Sequence, residues 1–201
     1  LRRTSSRENL INQLIAEALK TGLDGINVDF EKISKDCGEH FIQFVRELSV
    51  KCRQNGIILS VDNYVPQGFN AHYNLQEQGI VADYVIIMGY DEHYAGSYES
   101  GPVASLAYAK SGIEETLKVV PKEKTINAVP FYTRLWHTDN EGKLTSSAIG
   151  MSTAQKSVSS NGATAEWLDE AGQYYAEFEN KDGFYQVWLE EETSIEEKAK
   201  L

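Results

Sequence analysis

The most constraining feature of this 201-residue chain is an alternation of two hydrophobic periods. Four runs read as strands: "GINVDFE", "IILSVDNY", "ADYVIIMGYD" and "TINAVPFYTRLW". Runs of helical period separate them. A helix capped by Ser5 or Ser6 is predicted through Leu10, Ile11, Leu14, Ile15, Ala18 and Leu19, with Gly22 ending it. A second helix is predicted over residues 37–55, where Phe41, Phe44, Val45, Leu48 and Cys52 form one stripe. Residues 66–79 read as a loop with a short helix, and residues 103–120 as a further helix. Strands that alternate with helices imply a parallel sheet with crossover connections, the α/β class. The third run is apolar almost throughout, as expected of a parallel strand under a helical layer.

The remainder changes character. "TINAVPFYTRLW" is predicted as one strand over residues 125–133, and "HTDNEGKLTSS" carries a turn signal. Residues 152–160 read as helix. Two aromatic, alternating runs flank "NKDG", a strong hairpin signal, and residues 194–201 begin another helix. The "EEETSIEEK" run reads as a solvated face and the start of that helix. With no repeat or linker in view, the expectation is one domain over residues 1–201, with a small inserted α+β lobe at about residues 137–192.

The first strand raises the chemical question. Side chains alternate along a strand, so Ile26, Val28 and Phe30 share one face and Asn27, Asp29 and Glu31 the other. Burying that polar row under helices would be costly. A barrel avoids the cost, because its inner face opens at the carboxyl ends of the strands, where Glu31 sits. Asp29 and Glu31 are two apart, with Cα atoms about 6.6 Å from one another. Carboxylates that close perturb each other, and one keeps its proton more readily, as a general acid must. On pattern alone, scattered acids at a solvent-facing strand end are the more ordinary reading.

Composition excludes some partners. The formal net charge of −11 repels a phosphate backbone, so nucleic acid is not an expected partner, whereas a neutral ligand is compatible. No apolar run approaches the length of a membrane span, and no membrane partner is expected. His40, His72, His93 and His137 lack metal-ligand spacing, so neither a metal nor another cofactor is expected. Cys37 and Cys52, on one continuous helix, would lie roughly 22 Å apart, too far for a disulfide.

"DGINVDFE" resembles the Asp-x-x-Asp-x-Asp-x-Glu signature on the fourth barrel strand of family 18 glycoside hydrolases, the chitinase-like enzymes. "VIIMGYDEHYAGSYESGPVA" resembles the sixth strand and following loop of the bacterial spore-cortex and cell-wall branch. "INAVPFYTRLW" resembles its seventh strand, and "YQVWLEEETSIEEKAKL" the hairpin and helix leading to the eighth. The resemblance implies a partial (β/α)8 barrel of about four βα units, matching strands four to seven, and an internal fragment of a longer chain. Either another copy of the chain is expected to cover the exposed barrel edges, or the fold is expected to be strained.

The same resemblance implies roles. Glu31 matches the general acid/base and Asp29 the residue that holds the substrate's N-acetyl group. Tyr90 matches the tyrosine that bonds the reacting acetamido group, Met88 and Asp91 match pocket positions, and Asp24 is structural support. Asn27 stands where many chitinases carry Asp, and cannot share a proton as a carboxylate would. Asp62, Asn63 and Tyr64 are candidate polar contacts at a strand end, and Tyr132 and Arg134 candidate cleft residues. Trp136, Tyr94 and Tyr98 suit sugar stacking or loop packing equally, and Trp167 and Trp188 suit the core of the lobe. The implied activity is substrate-assisted, retaining hydrolysis of β-1,4-linked N-acetylglucosamine polymers, peptidoglycan of spore cortex or cell wall or else chitin, outside the cell or in the spore envelope. The alternatives are a non-catalytic carbohydrate-binding protein and an ordinary retaining glycosidase with Asp29 as nucleophile.

Overall fold

The alternating runs fold as successive βα units. The computed structural model describes residues 1–201 and divides them into two units, Leu1–Met88 with Gly112–Asn127, and Gly89–Ser111 with Ala128–Leu201. The first contains helix α1 (Thr4–Thr21), strand β1 (Gly25–Val28), helix α2 (Gly38–Gln54), strand β2 (Ile58–Tyr64), helix α3 (Leu75–Val81) and strand β3 (Tyr84–Met88). Helix α4 (Leu106–Leu117) then precedes strand β4 (Thr125–Ala128). The strands lie in chain order, β1-β2-β3-β4. β1 runs parallel to β2 from Gly25↔Ile58 to Val28↔Val61, and β2 parallel to β3 from Ser60↔Tyr84 to Tyr64↔Met88.

Strand parity decides which side is covered. Val28, Leu59 and Val61 are buried with Ile11, Ile15 and Ala18 of α1 and Phe41, Phe44, Val45 and Leu48 of α2. Phe30 joins them, stacking on Phe44 at 5.6 Å. Asn27, Ile58 and Tyr84, on the opposite parity, are exposed. One polar residue on the covered parity is Asn63, and its amide is matched: Nδ2 donates to Gln78 Oε1 at 2.7 Å and Gln78 Nε2 donates back at 2.9 Å. Two buried amides thereby satisfy each other.

Several boundaries differ from expectation. Helix α1 starts at Thr4, before either serine, and its N-cap residue Arg3 makes no side-chain bond there. Arg7 holds the start instead: it donates to the carbonyls of Leu1 and Arg2, to Thr4 Oγ1 and to both oxygens of Glu47. Gly22 ends the helix as predicted, in the left-handed conformation at φ 69°. Cys37 belongs to a short 3₁₀ turn (Lys35–Cys37), not to α2. Both cysteines are free, and burial pushes the Cys52 thiol up to about 11.

"TINAVPFYTRLW" is not one strand. β4 stops at Ala128, and strand β5 (Tyr132–Asp139) belongs to a different sheet. Pro130 lies in the break, where a residue without an N–H cannot extend a ladder.

The second unit is built on an antiparallel sheet of β5, strand β6 (Leu144–Gly150), strand β7 (Glu166–Leu168), strand β8 (Gln173–Asn180) and strand β9 (Gly183–Leu189), in the order β6-β5-β9-β8-β7. The hairpin at "NKDG" forms as predicted, with Asn180 opposite Gly183. Gly183 has φ 136°, a value L side chains rarely adopt. Helix α5 (Met151–Ser160) packs Ala154 and Val158 against Ala176, Val187 and Leu189.

Helix α6 (Glu192–Ala199) corrects the reading of the charge run as solvated. Ser194 and Lys198 are buried, together with Glu190 and Gln173. Lys198 Nζ lies 3.0 Å from Glu190 Oε1 and 3.2 Å from Oε2. Ser194 Oγ donates to Oε2 at 2.9 Å, and Gln173 Nε2 to Oε1 at 2.7 Å. No helix of the chain is long and apolar enough to cross a membrane.

Candidate active site

Strand β1 pairs with β2 only as far as Val28, so Asp29 and Glu31 lie beyond the ladder rather than within it, as the longer predicted strand had them. Both are exposed. Asn27, the last residue on the open face of β1, is tied to β2. Its Nδ2 donates to Asp62 Oδ2 at 2.8 Å, and its Oδ1 accepts from Ser60 Oγ at 2.7 Å. Asp62 keeps one oxygen, Oδ1, buried and without a hydrogen-bond partner. Burial is the main cause raising the Asp62 carboxyl above its ordinary range; the Asn27 bond pulls it down and the Asp29 charge pushes it up.

The chain after β1 turns sharply. Lys32 takes φ 55°, the left-handed region, at a cost on the order of 1 kcal/mol for a residue with a Cβ. Side chains from β2 and from a 3₁₀ segment (Gly68–Tyr73) hold this turn. Tyr64 Oη donates to Glu31 Oε2 at 3.2 Å and accepts from Lys32 N–H at 3.3 Å. Tyr73 Oη donates to the Phe30 carbonyl at 3.1 Å and accepts from Ile33 N–H at 3.0 Å. His72 Nε2 lies 2.7 Å from the Ile33 carbonyl, which can only accept, so that nitrogen carries the hydrogen. Burial is the main cause raising both phenols above their ordinary range, and the Glu31 charge adds to it.

Met88 ends β3 and is buried. Asp24 is exposed, and its carbonyl accepts from Ile58 N–H at 2.9 Å.

In the second unit, Tyr90 is half-buried and Asp91, at φ 59°, is another non-glycine residue in the left-handed region. Tyr132 Oη donates to Asp91 Oδ1 at 2.5 Å, and its ring meets that of Tyr90 edge-on at 6.3 Å. Burial and the Asp91 carboxylate hold the Tyr132 phenol well above its ordinary range. Arg134 is buried, its Nε donating to Ser146 Oγ at 2.9 Å.

The aromatic candidates separate clearly. Trp136 is 1% exposed and its indole N–H donates to the Gly101 carbonyl at 2.8 Å, which is loop packing. A Cβ on Gly101 would meet the His93 ring at 2.4 Å, so a larger residue there would displace that ring. Tyr98 and Tyr94 are exposed. Trp167 and Trp188 pack against Tyr174 and Tyr175 at 5.1 and 4.8 Å. Sequence reasoning did not foresee Ser60, His72 or Tyr73 at the candidate site. A usable signal existed for Ser60, because residues 60, 62 and 64 share the open face of β2 with Asn27 opposite.

The sequence model "Glycosyl hydrolases family 18" matches residues 1–201. YdhD of Bacillus subtilis (strain 168), assigned as a sporulation-specific glycosylase, is 28% identical over 206 residues, 100% of this chain and 49% of that protein. The cortical fragment-lytic enzyme of the same organism is 25% identical over 97% of this chain and 47% of its own length. The chain thus spans about half the length of these relatives. The crystal structure of YdhD superposes with a TM-score of 0.92, covering 99% of this chain and 67% of that one. A Cycas revoluta chitinase solved in complex with (GlcNAc)3 gives 0.80 at 24% identity, over 98% of this chain and 65% of that one, a likeness of fold. The four parallel strands therefore match part of the barrel of these relatives, and the chain belongs to glycosyl hydrolases family 18.

Proposed function

We propose that the full-length protein hydrolyses β-1,4-linked N-acetylglucosamine polymers by substrate-assisted, retaining catalysis, with spore cortex or cell-wall peptidoglycan as the leading substrate and chitin as the other candidate. The observation that carries the reading is the placement of Asp29 and Glu31, exposed just beyond the carboxyl end of a parallel strand in this family's fold. The name of the cortical fragment-lytic relative favours the cortex and, with it, a place in the spore envelope or cell wall.

In this reading Glu31 donates a proton to the glycosidic oxygen, which leaves with the bonding pair. The substrate's own acetamido oxygen attacks the anomeric carbon. Asp29 holds the acetamido group and stabilises the oxazolinium charge, and Tyr90 is proposed as a further catalytic residue. Glu31, now ionised, takes a proton from the water that opens the ring. Asn27 and Asp62 bound the site on β1 and β2. Met88, Asp91, Tyr132 and Arg134 are further proposed substrate contacts, and Asp24 a support of the signature turn.

The test is a pair of substrates. The full-length protein is expected to release reducing ends from an N-acetylated polymer and to leave the same polymer intact once its acetyl groups are removed. Equal hydrolysis of both would overturn substrate assistance and favour Asp29 as a covalent nucleophile.

A further inference from the structure

The turn that carries Glu31 is held at four points by side chains outside it. The Phe30 carbonyl and the Ile33 N–H go to Tyr73, the Lys32 N–H to Tyr64 and the Ile33 carbonyl to His72. Tyr73 is braced in turn, its ring edge-on to Phe41 at 5.6 Å and to Tyr64 at 5.9 Å. Of these side chains, Tyr64 also touches the carboxyl itself, at Oε2. A hydroxyl that donates to one carboxyl oxygen leaves the other as the place for a proton.

We infer that Tyr64 is the positioning residue of the acid: its hydroxyl anchors the strained backbone behind Glu31, fixes the carboxyl through Oε2, and leaves Oε1 to carry the proton that reaches the glycosidic oxygen. This rests on the glycosidase reading. When the glycosidic bond breaks, the proton on Oε1 passes to the departing oxygen with no change at Oε2, and water later returns a proton to Oε1. Tyr73 supports the same turn without contacting the carboxyl, which makes it the natural control. The charged and titratable groups acting on the Tyr64 phenol are Glu31 and Tyr73.

Two measurements on the full-length protein test this. Tyr64→Phe is expected to lower kcat by roughly tenfold to a hundredfold with KM nearly unchanged. It should also move the basic limb of the rate–pH profile upward, because a lost donor to the ionised carboxylate disfavours that form. Tyr73→Phe is expected to lower Tm and leave that limb in place. Wild-type kcat and an unmoved limb in Tyr64→Phe would overturn the inference, as would equal limb shifts in both variants. The second measurement does not depend on hydrolysis: the Tyr64 phenol, followed by 13C NMR, is expected to titrate at lower pH in Glu31→Gln than in the wild type. An unchanged titration would show that the contact is absent and sink the inference. A lowered titration in a protein that cleaves no N-acetylglucosamine polymer would instead leave the contact standing and count against the proposed function.

Discussion

Two glutamates, one in each unit, occupy opposite kinds of site. Glu190 is 1% exposed, and both its oxygens are taken by Lys198, Ser194 and Gln173. Glu31 is exposed beyond a strand end and meets a single tyrosine hydroxyl. A buried charge must be paired and hydrogen-bonded, and one so enclosed has no capacity left for an outside molecule. The glutamate left open towards solvent is the one available for chemistry. The neighbourhoods agree: Asp62 Oδ1 beside the strand-end acids has no partner, whereas the carboxyl of Glu190 has no free oxygen.

Breaking the buried member should have the largest effect on folding. Lys198→Met leaves a buried carboxylate without its cation, a loss of about 3–5 kcal/mol in denaturant unfolding. Burial already raises the Glu190 carboxyl and Lys198 opposes it, so the variant raises it further. A raised carboxylate favours the folded state at low pH, so the stability of Lys198→Met is expected to fall as pH rises above the ordinary carboxylate range. A variant as stable as the wild type would remove the contrast.

Breaking the open site around Glu31 should act on turnover. Asp29→Asn is expected to lower hydrolysis by the full-length protein on the order of 10²-fold with Tm unchanged, because Asp29 is exposed. A fall in Tm without loss of turnover would make it a structural acid. Gln78→Leu sharpens the same comparison within the first unit. It leaves Asn63 Oδ1 under the sheet without its donor, while Nδ2 keeps the Val61 carbonyl, and should cost roughly 1–3 kcal/mol in chemical denaturation while sparing kcat.

The smallest effect concerns Glu47. The hydrogen bond from Arg7, then that from Gln43, outweighs burial and holds its carboxyl below the usual range. A depressed carboxylate stabilises the fold above its unfolded value and loses that contribution as pH falls through the folded one. The stability gap between wild type and Glu47→Gln, read by thermal melts, is therefore expected near neutrality and should close in acid.

The open row was legible in the sequence because period-two alternation survives in Ile26–Val28 and Asn27, and because the signature acids fall within one short stretch of sequence. The strand's true end was not. It depends on where β2 stops pairing with β1, at Val61, and on the left-handed Lys32, neither of which alternation reports. The Tyr64 and Tyr73 contacts join residues 32 to 43 positions apart, brought together by the βα crossover. The buried quartet was misread for a related reason. "EEETSIEEK" looks solvated until helix α6 turns Ser194 and Lys198 inward onto Glu190, which no local pattern announces. The break at Pro130 was visible in the sequence, but the apolar residues on both sides of it resembled one strand.

The most direct test of the contrast is Glu31→Gln in the full-length protein, with reducing-end release and Tm measured on the same preparation. Loss of hydrolysis by on the order of 10³-fold with an unchanged melting temperature is the expected result. Wild-type hydrolysis in a folded Glu31→Gln protein would contradict the assignment of the strand-end carboxylate as the acid.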